Sequence, residues 1–159
     1  PYYHKMDQYG LELVYSYDAL QLTGEVAYRQ AMGEDYVSAI GGVQYTVDGV
    51  GPQGGALILV GEYHHDTRSA LQPLTLYEDD LFLGFAYSAN DVAGTAVTGG
   101  VYHDLDTEAR IYSLEVSRRL GDAARLSLSG LAIDADGTRD PLVFGKNDGY
   151  LQLSLALFF

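Results

Sequence analysis

The sequence predicts an all-β fold of antiparallel, up-and-down strands. Apolar and polar residues alternate with period two along most of the chain, and no continuous helical apolar stripe competes with that pattern. Most alternating runs are about ten residues long, beyond the usual five or six of soluble sheets. The chain holds 19 Gly and 14 Tyr against 4 Pro and no Trp. That balance favours strands joined by tight turns.

Nine strands are expected, at approximately 8–17, 20–30, 35–47, 55–65, 80–89, 95–104, 108–120, 124–134 and 148–159. The first, "YGLELVYSY", sets Tyr9, Leu11, Leu13, Tyr15 and Tyr17 on one face against Gly10, Glu12, Val14 and Ser16. The dipeptide "DA" turns it into the second strand, which sets Leu20, Leu22, Gly24, Val26 and Tyr28 against Gln21, Thr23, Glu25, Ala27 and Arg29. The third strand ends at the turn-rich "DGVGPQGG", and the fourth at the long polar "DTRSALQPLTLYED". The fifth opposes Leu81, Leu83, Phe85 and Tyr87 to Phe82, Gly84, Ala86 and Ser88, and "NDVAG" leads into the sixth. The seventh opposes Tyr112, Leu114 and Val116 to Ser113, Glu115 and Ser117, and "GDAA" joins it to the eighth. A second long connection, "DADGTRDPLVFGKND", precedes the ninth, "YLQLSLALFF".

The 159 residues form one domain, 1–159, with 47% hydrophobic residues and a net charge of −13. Such acidity argues against nucleic acid or an anionic membrane surface as a partner through a basic patch. With no Cys, there is neither a disulfide framework nor a thiolate metal site. No apolar run reaches the roughly 20 residues of a membrane-crossing helix.

Alternation fits two architectures. A soluble sheet buries its apolar face on a core. A transmembrane barrel turns that face to lipid and lines its interior with the polar one. Tyrosine favours the barrel. Tyr9, Tyr17, Tyr28, Tyr45, Tyr63, Tyr87, Tyr102 and Tyr112 fall toward strand ends and read as an aromatic girdle on the apolar face, where a ring sits among headgroups with its hydroxyl wet. The expected polar lining then carries Glu12, Glu25, Arg29, Glu62, Glu115 and Arg119. Such a wall either guides solutes through an open lumen or forms a salt-bridged, plugged interior.

Catalytic and metal chemistry is poorly supported. In "YHHD", His64 and His65 stand beside Asp66 but are adjacent in a strand and point to opposite faces, so they chelate badly. Asp134, Asp136 and Asp140 surround Gly137, but the closing Glu of a twelve-position calcium loop is missing. His103 near Asp104, with Ser113 across a hairpin, is the one sketch of a hydrolytic trio, and no motif supports it. The paired glycines at 41–42, 54–55 and 99–100 precede no helix and make no phosphate loop. No enzyme activity, cofactor or metal is expected.

The closing "YLQLSLALFF" resembles the C-terminal signal of Gram-negative outer-membrane β-barrels, an alternating last strand that ends in Phe. Leu151, Leu153, Leu155, Leu157 and Phe159 occupy the alternating register, and Tyr150 supplies an aromatic at the other end. The stretch "YSLEVSRRLGDAARLSLSG", with "DPL" and "DGYLQLSLALFF", more loosely resembles the ends of uncharacterised proteobacterial outer-membrane proteins. The resemblance implies an outer-membrane location, a porin-like barrel, lipid and lipopolysaccharide around it, and recognition of Phe159 by the barrel assembly machinery. It places the C-terminus and the short turns after strands one, three, five and seven in the periplasm, with the long loops outside. Nine strands is odd, whereas single-chain bacterial barrels are even. The expectation is therefore the C-terminal part of a larger barrel, closed by missing N-terminal strands or a partner chain. The competing expectations are a scaffold barrel in an envelope complex and a soluble ligand-binding sandwich or barrel.

Overall fold

The computed structural model describes residues 5–69, 72, 75, 77–136 and 141–159. Among these residues, nine strands form one antiparallel sheet in sequence order: β1 (Met6–Tyr17), β2 (Leu20–Ala31), β3 (Glu34–Val50), β4 (Gly55–Asp66), β5 (Asp79–Ser88), β6 (Ala96–Asp104), β7 (Arg110–Leu120), β8 (Ala124–Asp134) and β9 (Tyr150–Leu157). Each strand pairs with its sequence neighbours, and the sheet does not close β1 onto β9. Both edge strands run in the same direction, since their number is odd.

The turns sort by edge. The β1–β2, β3–β4, β5–β6 and β7–β8 turns are stitched along one edge. There Ala19 O accepts from Thr46 N, Ala93 O from Arg119 N, and Ala123 O from Phe158 N, at 2.8–2.9 Å. The longer connections gather at the opposite edge, where Thr67 N donates to Val37 O and Leu105 N to Asp79 O. The last connection carries a short 3-10 helix, Pro141–Gly145, that the alternation did not announce.

β3 runs to Val50, three residues past its expected end. Its pairing with β4 slips between Asp48 and Val50, a β-bulge centred on Gly49 with φ +76. That backbone suits glycine, so the bulge lets the strand continue where the sequence read as turn.

Burial is inverted relative to a soluble domain. Cross-strand register joins Leu11 to Val26, Leu22 to Val43, Tyr45 to Leu59, Leu59 to Phe85, Leu83 to Val101 and Leu128 to Leu153. These residues share one continuous apolar face, and among the described residues no second layer covers it. Leu13 is 68% exposed, Leu83 51% and Leu153 69%. Apart from Gly55 at the start of β4, the buried strand residues, Ala27, Ala31, Tyr36 and Asp80, belong instead to the opposite, polar face.

Close packing on the polar face centres on Phe82, whose ring lies against Gly84 and Gly100. A Cβ built on Gly100 would come within 2.7 Å of the ring. Gly100→Ala is therefore expected to destabilise the sheet by about 1–3 kcal/mol through overpacking. Adding Phe82→Ala should recover part of that loss in a double-mutant cycle of urea midpoints.

The β5–β6 turn is held by Asp91, which accepts from Thr95 N at 2.7 Å and Thr95 Oγ1 at 2.6 Å. Those bonds hold its carboxyl below the usual range. Because its folded value is depressed, its stabilising contribution is present above the unfolded carboxyl value of about 3.9. It is lost as pH falls through the folded value. Faster amide exchange at Thr95 is expected in that acid window, and Asp91→Ala should show the fast rate at neutral pH.

Candidate functional site

The polar face carries the charges, and the register brings several of them together. Glu12 stands directly opposite Glu25 across β1 and β2. Glu62 projects from β4 opposite Gly42, and the three carboxylates line one recess of about 220 Å³ with Thr23, Gly24, Ile40 and His64. Directly opposed like charges on neighbouring strands repel. Neither Glu12 nor Glu25 has a hydrogen bond or ion pair among the described residues; Glu62 has His64 Nε2 at 3.4 Å.

A second recess, of about 230 Å³, adjoins the first and shares Ile40 and His64 with it. Arg29, Ser38, Asp66, Arg68, Thr75 and Tyr77 contribute to its lining. Ser38 stands opposite both Ala27 and Asp66 in the register, so its hydroxyl links β2 to β4. It donates to the Asp66 carboxylate and accepts from Arg29 Nη1 at 2.6 Å. Asp66 also takes two bonds from the Arg68 side chain, Nε at 2.8 Å and Nη2 at 2.6 Å. The fork of Arg68 thus matches the carboxylate geometry, and these bonds hold its guanidinium even more firmly charged than usual. Tyr36 lies beneath both arginines, with centroids 5.9 Å from Arg29 and 5.2 Å from Arg68.

Aromatic rings continue this wall. His64 Nε2 and Tyr102 Oη are 2.9 Å apart, with β5 between their strands. Tyr77, from the β4–β5 connection, packs on both at 5.4 and 5.1 Å, and Phe82 packs on Tyr102 at 5.1 Å.

Of the expected lining residues, Glu12, Glu25, Arg29 and Glu62 therefore meet in adjoining recesses. Glu115 and Arg119 share the face but lie apart from them. Glu115 stands opposite Thr98 and Ser129, and Arg119 opposite Arg125, in a recess with Gln53, Asp91 and Arg118 at the short-turn edge. Seven of the girdle tyrosines keep the apolar register. Tyr9, Tyr28, Tyr63 and Tyr112 lie toward the long-loop edge, and Tyr17, Tyr45 and Tyr87 toward the short-turn edge. Tyr102 departs from the expectation. It pairs with Phe82 and Ile111 on the polar face, because Val97, Gly99, Val101 and His103 take the apolar one.

In β9, Leu151, Leu153, Leu155 and Leu157 continue the apolar face opposite Gly130, Leu128, Leu126 and Ala124. Tyr150 stands opposite Leu131, one step out of that register, and Phe159 is fully exposed beyond the strand. His64 and His65 separate onto the two faces, His65 stacking on Tyr63 at 6.3 Å. The hydrolytic trio is not assembled. His103 takes the apolar face beside Arg110, Ser113 the polar face opposite Gly100, and Asp104 accepts from the Asp106 and Thr107 amides of its own turn. In the acidic loop, Gly137 and Asp140 lie outside the described residues; among the described ones no cluster of three or more metal-ligating side chains forms.

Ser38, Arg68 and Tyr77 were not anticipated as site residues, and Asp66 only as the neighbour of the adjacent histidines. Their signal was weak, because it lies in cross-strand register and loop return, which a period-two pattern does not encode. No known protein family matches the chain, and no curated protein or solved structure matches it either.

Proposed function

We propose that this chain forms part of the wall of an outer-membrane β-barrel, a porin-like passage with a polar lumen. The inverted burial carries the reading. Leaving one large aliphatic side chain in water forgoes about 1.5–3 kcal/mol, and the apolar face leaves many exposed at once. Lipid removes that cost with no second protein layer.

Two further features support it. Tyr9 and Tyr17 bracket the aliphatic part of β1. Their spacing is about 27 Å along the strand, or about 20 Å in height at a tilt near 40°. That is close to the apolar band of about 25 Å on such barrels. Leu151–Leu157 extends the band to the last strand. Lipid and lipopolysaccharide are then the surrounding partners.

Unpaired strand edges in hydrocarbon cost several kcal/mol per group. In this reading, β1 and β9 pair with strands beyond these nine, from the same protein or a partner chain. Because β1 and β9 run the same way, all-antiparallel closure needs an odd number of added strands.

A second reading is a closed scaffold. It is favoured by described residues of the β4–β5 connection: Tyr77 packs on the polar-face rings of His64 and Tyr102, and others reach the β2–β3 turn. Gln72 Nε2 reaches Ala31 O at 2.8 Å, and Ser69 reaches Glu34 at 2.5 Å. Single-channel recording on the full-length protein in planar bilayers separates the two. A passage gives unitary conductance with a preference for cations that drops in Glu25→Gln. A sealed sleeve inserts and conducts nothing.

A further inference from the structure

The apolar face is not level along its hydrogen bonds. Cross-strand partners followed from Tyr17, the last residue of β1, lead through Tyr45 and Phe85 to Leu151, the second residue of β9. Because β1 and β9 run the same way, that line starts at the short-turn edge and finishes at the long-loop edge. The neighbouring line through Leu13, inside β1, finishes on His103, Arg110 and Asp134. A belt drawn along the hydrogen bonds would therefore carry charge through its middle.

A belt that drops one residue towards the short-turn edge at each strand sorts the same face by polarity. Tyr9, Tyr63, Tyr112 and Leu151 then share one level to within about one residue. His65, Asp79, His103, Arg110 and Asp134 all lie beyond it, towards the long loops. Tyr17 and Leu120 share the opposite level. Midway between the two run Leu13, Val43, Phe85, Val116 and Leu155. Arg118 is the one charged residue of the described face between the levels, at the depth of Tyr45 and Tyr87, where a long stem carries the head to the rim.

We propose that this face meets a planar lipid bilayer along the inclined belt, so that the strands cross the membrane at about 35° to its normal. One residue of rise per strand spacing gives that angle from register and polarity alone, and it falls within the about 35–45° of strands in closed barrels. The two levels are then about 22 Å apart along the normal. A second protein layer imposes no common level on the polar groups of nine strands. Planar hydrocarbon does, because it penalises a charge by its depth. The bond from Arg110 Nε to His103 Nδ1, 3.3 Å long, then lies among headgroups. The proposal rests on the lipid-facing reading above and adds the inclination, which that reading leaves open.

The test places single nitroxide-labelled cysteines at Leu13, Tyr17, Phe85, Leu151 and Leu155 of the full-length protein in vesicles. Oxygen and nickel accessibilities give the depth of each label. Tyr17, Phe85 and Leu151 lie on one hydrogen-bonded line, so they separate the two belts. The label at Phe85 should be as deep as those at Leu13 and Leu155, and about 11 Å deeper than those at Tyr17 and Leu151. Equal depth at Tyr17, Phe85 and Leu151, with all three in lipid, overturns the inclined belt and leaves the lipid-facing reading standing. Water exposure at all five positions overturns both. Amide I dichroism of the unaltered protein in oriented bilayers decides the matter where a variant fails to fold. It should show strands inclined by about 35°; strands parallel to the normal contradict the proposal.

Discussion

Leu83→Arg is expected to destabilise the folded protein in lipid vesicles by about 2–4 kcal/mol, the cost of an arginine near the bilayer midplane on a barrel's outer face. Leu83 lies mid-strand between Gly61 and Val101 and is 51% exposed. In water, a side chain this exposed tolerates such a change to within about 0.5 kcal/mol. The two environments therefore predict effects that differ severalfold at one position. Ser113→Arg, on the polar face opposite Gly100, is the matched control and should fall near zero. Urea midpoints in vesicles, with refolding shown to be reversible, measure both. A small effect at Leu83 would mean that its face meets water.

The second large effect is expected at Asp66. Its side chain is 4% exposed and is the acceptor around which Ser38 and Arg68 are arranged. Asp66→Ala leaves Arg68, itself only 17% exposed, without that carboxylate. Breaking one partner of a buried pair costs about 3–5 kcal/mol, and the opening of this site to solvent on one side brings the expectation nearer 2–3 kcal/mol. It also releases the start of the β4–β5 connection, so trypsin should cut after Arg68 faster in the variant. The cycle with Arg68→Ala should show the two losses to be strongly non-additive. Additive losses would mean that each residue is held by something other than its partner.

The strands were legible because side-chain alternation is a direct consequence of the pleat. "YGLELVYSY" and "LFLGFAYSA" state their faces without reference to any other strand, and β1 and β5 follow them. "AVTGGVYHD" does not, since glycine occupies adjacent positions and removes the contrast between faces. Tyr102 was assigned to the apolar side for that reason. The β5 register settles it by placing Phe82 beside it. The bulge at Gly49 was hidden because glycine there reads as turn as readily as bulge.

The site was half legible. Glu12, Glu25, Arg29 and Glu62 were found by face alone. Their division into one acidic and one basic recess was not, because it depends on which residues oppose one another across three strand pairs. The partnership of Asp66 with Arg68 joins a strand end to a loop, where period two no longer applies. That Arg29 has no carboxylate partner among the described residues is equally a property of the register, which sets Gln8 and Tyr36 opposite it.

The central claim is that the apolar face of the sheet meets lipid. The chain has no native cysteine, so single cysteines placed in turn from Leu81 to Tyr87 can each carry a nitroxide label. Accessibility to apolar oxygen and to a water-soluble nickel complex is then measured in vesicles. The account predicts oxygen maxima at 81, 83, 85 and 87 and nickel maxima at 82, 84 and 86. Equal nickel accessibility on both faces, or oxygen accessibility with no period of two, would contradict it.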